Sequence, residues 1–171
     1  MKIKCIKVGI LATNCYILEF DGKCLIIDPG DDFEKIKSNI DCKVVGVLLT
    51  HKHFDHLGAL EEVLNYYNVF CFSFENLIEG DNIIENIKFK VIFNPGHTMD
   101  SVSYLFDNYL FCGDFIFEGT IGRCDLGGNF DLMKNSIKQI LKSEINYKLY
   151  PGHGNYTFLN LEKDSLLSWL K

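Results

Sequence analysis

The stretch Thr50-His51-Lys52-His53-Phe54-Asp55-His56-Leu57-Gly58 constrains this chain more than any other. It follows Val44-Val45-Gly46-Val47-Leu48-Leu49, an apolar run whose length and branching predict a buried strand. Leu57, Leu60, Val63 and Leu64 then recur at helical spacing, which predicts a helix from Asp55 or His56 to about Tyr66. Four potential metal ligands therefore crowd a strand-to-helix turn. His51 and His53 are two apart in extended chain, so their rings leave the same side of the backbone. Asp55 and His56 lie where the chain turns and can aim beside the first pair. Two adjacent metal positions served by one loop is the simplest reading.

The remaining histidines agree. The chain has five, and the two outside the loop are His97, in Pro95-Gly96-His97-Thr98, and His153, in Pro151-Gly152-His153-Gly154. Both follow apolar or aromatic runs and are wrapped in turn formers, so each can leave the end of a strand. Between them Leu110-Phe111-Cys112-Gly113-Asp114 ends another strand on a carboxylate. With His51, His53 and His97 around one ion and Asp55, His56 and His153 around a second, Asp114 is left to bridge. Imidazoles and carboxylates at such spacing suit zinc and also tolerate iron or manganese. Six ligands and a bridge leave both ions short of full coordination, as in catalytic sites. A water shared by two cations is a nucleophile near neutral pH, one ion can polarise a carbonyl, and Asp55 can orient the attack. That is a hydrolase chemistry requiring no Ser or Cys nucleophile.

Length and composition bound the rest. The 171 residues suit a single domain spanning 1–171, and 47% hydrophobic content excludes disorder. Met1 to Val8 alternates like a strand, without the apolar core of a signal peptide, and no apolar run is long enough to span a bilayer. A cytoplasmic protein with no membrane partner is expected. The seven cysteines are scattered singly, which argues for reduced, mostly buried thiols, with Cys112 and Cys124 read as packing residues. A formal charge of −6 without a basic cluster weighs against nucleic acid.

Along the chain, strands are predicted at Lys2 to Val8, Asn14 to Phe20 and Lys23 to Ile27, with Asp21-Gly22 a hairpin turn and a short helix over Phe33 to Ile40. Beyond the histidine loop come strands at Val69 to Phe74, Ile87 to Phe93, Val102 to Phe106 and Asn108 to Cys112, with a polar connection over Glu75 to Asn82. An amphipathic helix over Phe130 to Leu141, a strand at Tyr147 to Tyr150 and a helix over Leu159 to Leu170 close the chain. Two face-to-face sheets with helices outside would bury this many apolar strands and gather the ligand candidates on one rim.

Read as a whole, the chain resembles the metallo-β-lactamase superfamily. His51 to His56 match its H-x-H-x-D-H signature, and His97, Asp114 and His153 match the remaining metal positions in order. Thr13-Asn14-Cys15-Tyr16 and Ile27-Asp28-Pro29-Gly30 look like its opening strands, and Gly113 to Leu126 is similar to the corresponding stretch of small glyoxalase II-like hydrolases. The resemblance implies an α/β (α+β) fold, the four-layer αββα sandwich, with a dinuclear site hydrolysing a thioester such as S-lactoylglutathione. It also implies that Asp28, otherwise a plain turn former before Pro29, supports the histidine loop. Arg123 is the chain's one arginine. That bias suggests a bidentate pair near the site, with a substrate role as the lesser reading. The helical domain with which larger glyoxalase II enzymes grip glutathione has no counterpart after His153, so the thiol is left open.

Three other readings use the same ligands. A mononuclear iron persulfide dioxygenase would need His51, His53 or His97, and Asp114 around one ion. A lactonase would turn the site on another activated carbonyl. A metal-buffering or interaction protein would have lost its substrate cleft.

Overall fold

Strands apolar on both faces must be covered on both sides, and helices with one apolar stripe are what covers them. The computed structural model, which describes residues 1–171, resolves that requirement into four layers. In chain order the elements are β1 (Lys2–Val8), β2 (Thr13–Phe20), β3 (Lys23–Ile27), α1 (Phe33–Lys37), β4 (Lys43–Leu48), α2 (Phe54–Leu57), α3 (Leu60–Tyr67) and β5 (Cys71–Phe72). There follow β6 (Gly80–Ile84), β7 (Ile87–Phe93), β8 (Val102–Phe106), β9 (Tyr109–Gly113), β10 (Ile116–Phe117), β11 (Thr120–Ile121), α4 (Phe130–Ile140), β12 (Lys148–Pro151), β13 (Thr157–Phe158) and α5 (Leu159–Ser168).

The first sheet has the order β1-β2-β3-β4-β5 and the second β13-β12-β9-β8-β7-β6, with β10 and β11 a separate hairpin. Alternation along β2 shows how the layers form. Tyr16 and Leu18 point between the sheets, where they meet Tyr104, Phe106 and Phe111. Cys15 and Ile17 point outward to the layer holding Ile36 of α1 and Val63 of α3. The outer face of the second sheet, with Leu105, Leu110 and Leu149, is covered by Met133 and Ile137 of α4 and Leu166 of α5. Fully burying one such Leu or Ile contributes roughly 1.5–3 kcal/mol, so three continuous cores hold the layers.

Several expectations are corrected in detail. The helix after the histidine loop is two pieces, α2 and α3, broken around Gly58, because Gly58 packs directly on the Gly30 carbonyl. The strand expected over Val69 to Phe74 shortens to Cys71–Phe72, and Phe70 is 80% exposed. Part of the presumed polar connection pairs with β7 as the edge strand β6, where the solvent side of a two-stranded register tolerates Asp81. The hairpin at Asp21-Gly22 forms as expected, with both residues at positive φ.

The topology gathers the site on one edge. β7, β9 and β12 run in the same direction, so the chain leaves all three at a common rim. The two sheets are tied together there. Asn14 N–H donates to the Gly152 carbonyl at 2.7 Å, Tyr16 O–H to the Pro151 carbonyl at 2.6 Å, and Val102 N–H to the Thr50 carbonyl at 2.9 Å.

Candidate metal centre

The loop after β4 is held from below by Asp28, which ends β3. Asp28 adopts the left-handed conformation (φ 51°), which an aspartate tolerates better than most residues. Its Oδ1 accepts from Thr50 N–H at 2.8 Å and its Oδ2 from Thr50 Oγ1–H at 2.6 Å. The next two residues seat the short helix: Ala59 N–H donates to the Pro29 carbonyl at 3.0 Å, and Gly30 lies so close to the Asp55 carbonyl that no Cβ fits.

Every histidine has its outer nitrogen tied down. His56 Nδ1 donates to Asp28 Oδ2 at 2.9 Å. His51 Nδ1 lies 3.0 Å from Thr50 Oγ1, whose own proton goes to Asp28, so His51 is the donor and Nε2 is its free nitrogen. His97 Nδ1 donates to the Arg123 carbonyl at 2.6 Å, His53 Nε2 to the Leu126 carbonyl at 3.2 Å, and His153 Nδ1 to the Leu11 carbonyl at 3.2 Å. A proton fixed on the outer nitrogen leaves the inner one as the ligand atom.

The inner atoms converge. His51, His53 and His97 form one group, His51, His56 and Asp114 a second, and Asp55, His56 and His153 a third, each with its ligand atoms within 4.8 Å of one another. Asp114 stands between the groups. Its Oδ1 is 3.4 Å from His56 Nε2, and its Oδ2 is 3.5 Å from His97 Nε2 and 3.6 Å from His153 Nε2. Asp55 Oδ2 is 3.1 Å from His153 Nε2 and accepts from Thr13 Oγ1 at 2.9 Å.

Three of these atoms, His51 Nε2, His56 Nε2 and Asp114 Oδ1, are buried without a hydrogen-bond partner. Orphaned polar atoms in a protein interior are costly, and three pointing at one place fit a cation. Burial, with the charge of His56 behind it, holds His51 well below the usual histidine value, and burial also lowers His97. Both rings are thereby neutral, the form that binds metal. Burial pulls His56 down too, but the carboxylates of Asp28 and Asp114 outweigh it and push the ring up to about 10. A cation held at Nε2 would take the place of that proton. Asp114 is ionised: burial opposes its charge, but the hydrogen bond and charge of His56 hold it well below the usual carboxylate range.

All seven residues expected to be ligands thus meet at one rim, and Asp28 lies directly beneath two of them. Arg123 touches the donor cluster by its carbonyl, while its guanidinium forms the expected bidentate pair, with Asp125, on the exposed wall of the cleft. Four supporting groups escaped the sequence reading: the hydroxyls of Thr13 and Thr50 and the carbonyls of Leu11 and Leu126. The threonines flank residues already singled out, whereas a carbonyl is independent of the side chain and leaves no signal.

Above the donors lies an open cleft of about 830 Å³. Leu11, Phe54, Phe117 and Leu126 form its apolar lip, and Glu118 and Arg123 are its charged residues beyond the donors.

Fold and donor cluster together define a metal-dependent hydrolase. Residues 8–69 and 73–154 match the metallo-beta-lactamase superfamily, and the chain belongs to that family. It is 34% identical over 201 residues to a probable metallo-hydrolase, YqgX, of Bacillus subtilis, covering 96% of this chain and 95% of that protein. It is 37% identical over 172 residues to a hydroxyacylglutathione hydrolase of Buchnera aphidicola, covering 90% of this chain and 67% of the relative. Among solved structures, the BLEG-1 B3 metallo-beta-lactamase superposes with a TM-score of 0.88 at 30% identity, over 95% of this chain and 97% of that one. No helix is long and apolar enough to cross a membrane.

Proposed function

We propose that this chain hydrolyses small acyl thioesters in the manner of a glyoxalase II, with two divalent ions, zinc first among the candidates, held at the rim. His51, His53 and His97 would hold one ion, Asp55, His56 and His153 the other, and Asp114 would bridge. The observation that carries the reading is Asp114 Oδ2, spaced almost equally from His97 and His153, members of the two opposite groups. Such ions supply an acidified water and a polarised carbonyl.

The chain's own residues do the rest. The apolar lip excludes water from the thioester and holds its carbonyl over the donors. Asp55, fixed through Oδ2 by Thr13, takes a proton from the attacking water. The water oxygen bonds to the carbonyl carbon, the carbon–sulfur bond breaks, and the departing thiolate takes up the proton Asp55 received. Asp28, through Thr50 and directly, keeps His51 and His56 in register while charge moves.

Likeness to a hydroxyacylglutathione hydrolase supports a thioester over a lactone. The presence of two complete three-donor groups supports two ions over the single iron of a persulfide dioxygenase. The test is metal analysis of the purified protein together with kcat/KM for S-lactoylglutathione, a thioester of another small thiol, a lactone and a persulfide. Two ions per chain with thioester turnover is the expected result. One iron with oxygen-dependent persulfide consumption would replace this reading by the dioxygenase.

A further inference from the structure

Beyond the donors, the cleft carries an apolar lip and two charged residues of its own. Leu11, Phe54 and Leu126 are 49%, 70% and 54% exposed, and with Phe117 they line the cleft around a polar centre. Large apolar side chains left in solvent around such a centre mark a binding surface. An ionised group laid against it loses hydration without gaining a partner.

The charged residues of the wall do not offer that partner. Arg123 is the one cation among them. Its Nε donates to Asp125 Oδ1 at 2.6 Å and its Nη2 to Asp125 Oδ2 at 2.5 Å, so its fork is already matched to a carboxylate. Its backbone is also fixed, because its carbonyl receives His97 Nδ1–H. Glu118 also lines the cleft and stands exposed, its Oε2 3.5 Å from Asn155 Nδ2. Lys7 lies outside the lining and spends Nζ on the Gly154 carbonyl at 2.8 Å.

We infer that the cleft selects acyl thioesters whose thiol portion carries no net negative charge, with Glu118 and the Arg123–Asp125 pair setting that preference. The inference rests on the thioesterase reading above and narrows it: glutathione, with two carboxylates against one amine, is the wrong kind of thiol. Like charge at a binding wall is a device for rejecting the wrong partner as well as favouring the right one.

The test uses the lactoyl thioesters of glutathione, glutathione monoethyl ester and glutathione diethyl ester, in which negative charge falls while apolar surface grows, so the salt dependence and the two variants below separate charge from apolar burial. On the metal-loaded protein kcat/KM rises along that series, by on the order of tenfold between its ends, and added salt compresses the difference. Glu118→Gln and Asp125→Asn each raise kcat/KM for the anionic ester more than for the others, the second by releasing the Arg123 fork. A second readout is calorimetric binding of S-methylglutathione and its two ethyl esters, which ranks in the same order. Equal or better use of the glutathione ester, with unaltered ratios in both variants, overturns the inference and leaves the hydrolase standing. If none of the three is hydrolysed, the thioesterase reading falls, and the calorimetric ranking alone decides the charge preference.

Discussion

Asp28 Oδ2 accepts a hydrogen bond from His56 Nδ1 at 2.9 Å, with the two side chains only 2% and 0% exposed. The same oxygen takes the Thr50 hydroxyl proton, and Thr50 in turn receives the outer N–H of His51. One buried carboxylate therefore sets the tautomer of two imidazoles that belong to different parts of the donor cluster.

Replacing Asp28 by Asn keeps a side chain that tolerates the left-handed backbone but removes an acceptor. Metal affinity is expected to fall by roughly 10–100-fold with the fold retained. Competition with a graded series of chelators measures it. Wild-type affinity in the variant would mean that His56 and His51 are oriented by packing alone.

Asp55→Ala should leave the circular dichroism spectrum unchanged and lower kcat by at least about 100-fold. Thr13→Val, which removes only the hydrogen bond to Asp55 Oδ2, should lower kcat by a smaller factor while KM stays within about twofold. Undiminished turnover in the Asp55 variant would refute its role.

Gly152 is a steric test. A Cβ there would run into Asp114 Oδ1 and the His56 ring, while the backbone φ is an ordinary one. Gly152→Ala should cost about 1–3 kcal/mol and lower the melting temperature of the protein. Addition of metal should restore less of that loss than it adds to the wild type, because Asp114 and His56 are the groups displaced. A melting temperature equal to wild type would show that the rim can move aside.

The buried thiols give a pH dependence. Burial pushes Cys112 up to about 12 from the ordinary 9.0, and it raises Cys15 in the same direction. A thiol with a raised folded value binds its proton more tightly when native. Its stabilisation is therefore complete below pH 9.0 and is lost as pH climbs from there towards about 12. Denaturant midpoints should accordingly fall above the thiol range, and Cys112→Ser should shift that limb. At pH 8 an alkylating reagent should modify the exposed Cys5 while sparing Cys15 and Cys112. Rapid labelling of Cys112 in the folded protein would contradict the assignment.

How far the sequence carried the structure follows from particular residues. Strands β1 and β7 lie where their alternation places them, because each is long enough to display a period, and β3 where its continuous apolar run does. The hairpin of β10 and β11 and the edge strand β13 did not, since two residues have no period and their pairing depends on partners remote in the chain. The break between α2 and α3 depends on Gly30 sitting against Gly58, a contact invisible to helix propensity.

By itself the sequence singled out the seven side chains that converge at the rim, imidazoles and carboxylates at the ends of apolar strands, and a strand buried on two faces demands the layers that cover it. Only the tertiary structure decided which nitrogen of each ring faces inward, because that choice is made by the carboxylate of Asp28 and by the carbonyls of Leu11, Arg123 and Leu126. It likewise decided that the sole arginine serves the site by its carbonyl, because only the fold brings His97 to it from 26 residues away, whereas the bidentate pair with Asp125, two residues on, is a local contact.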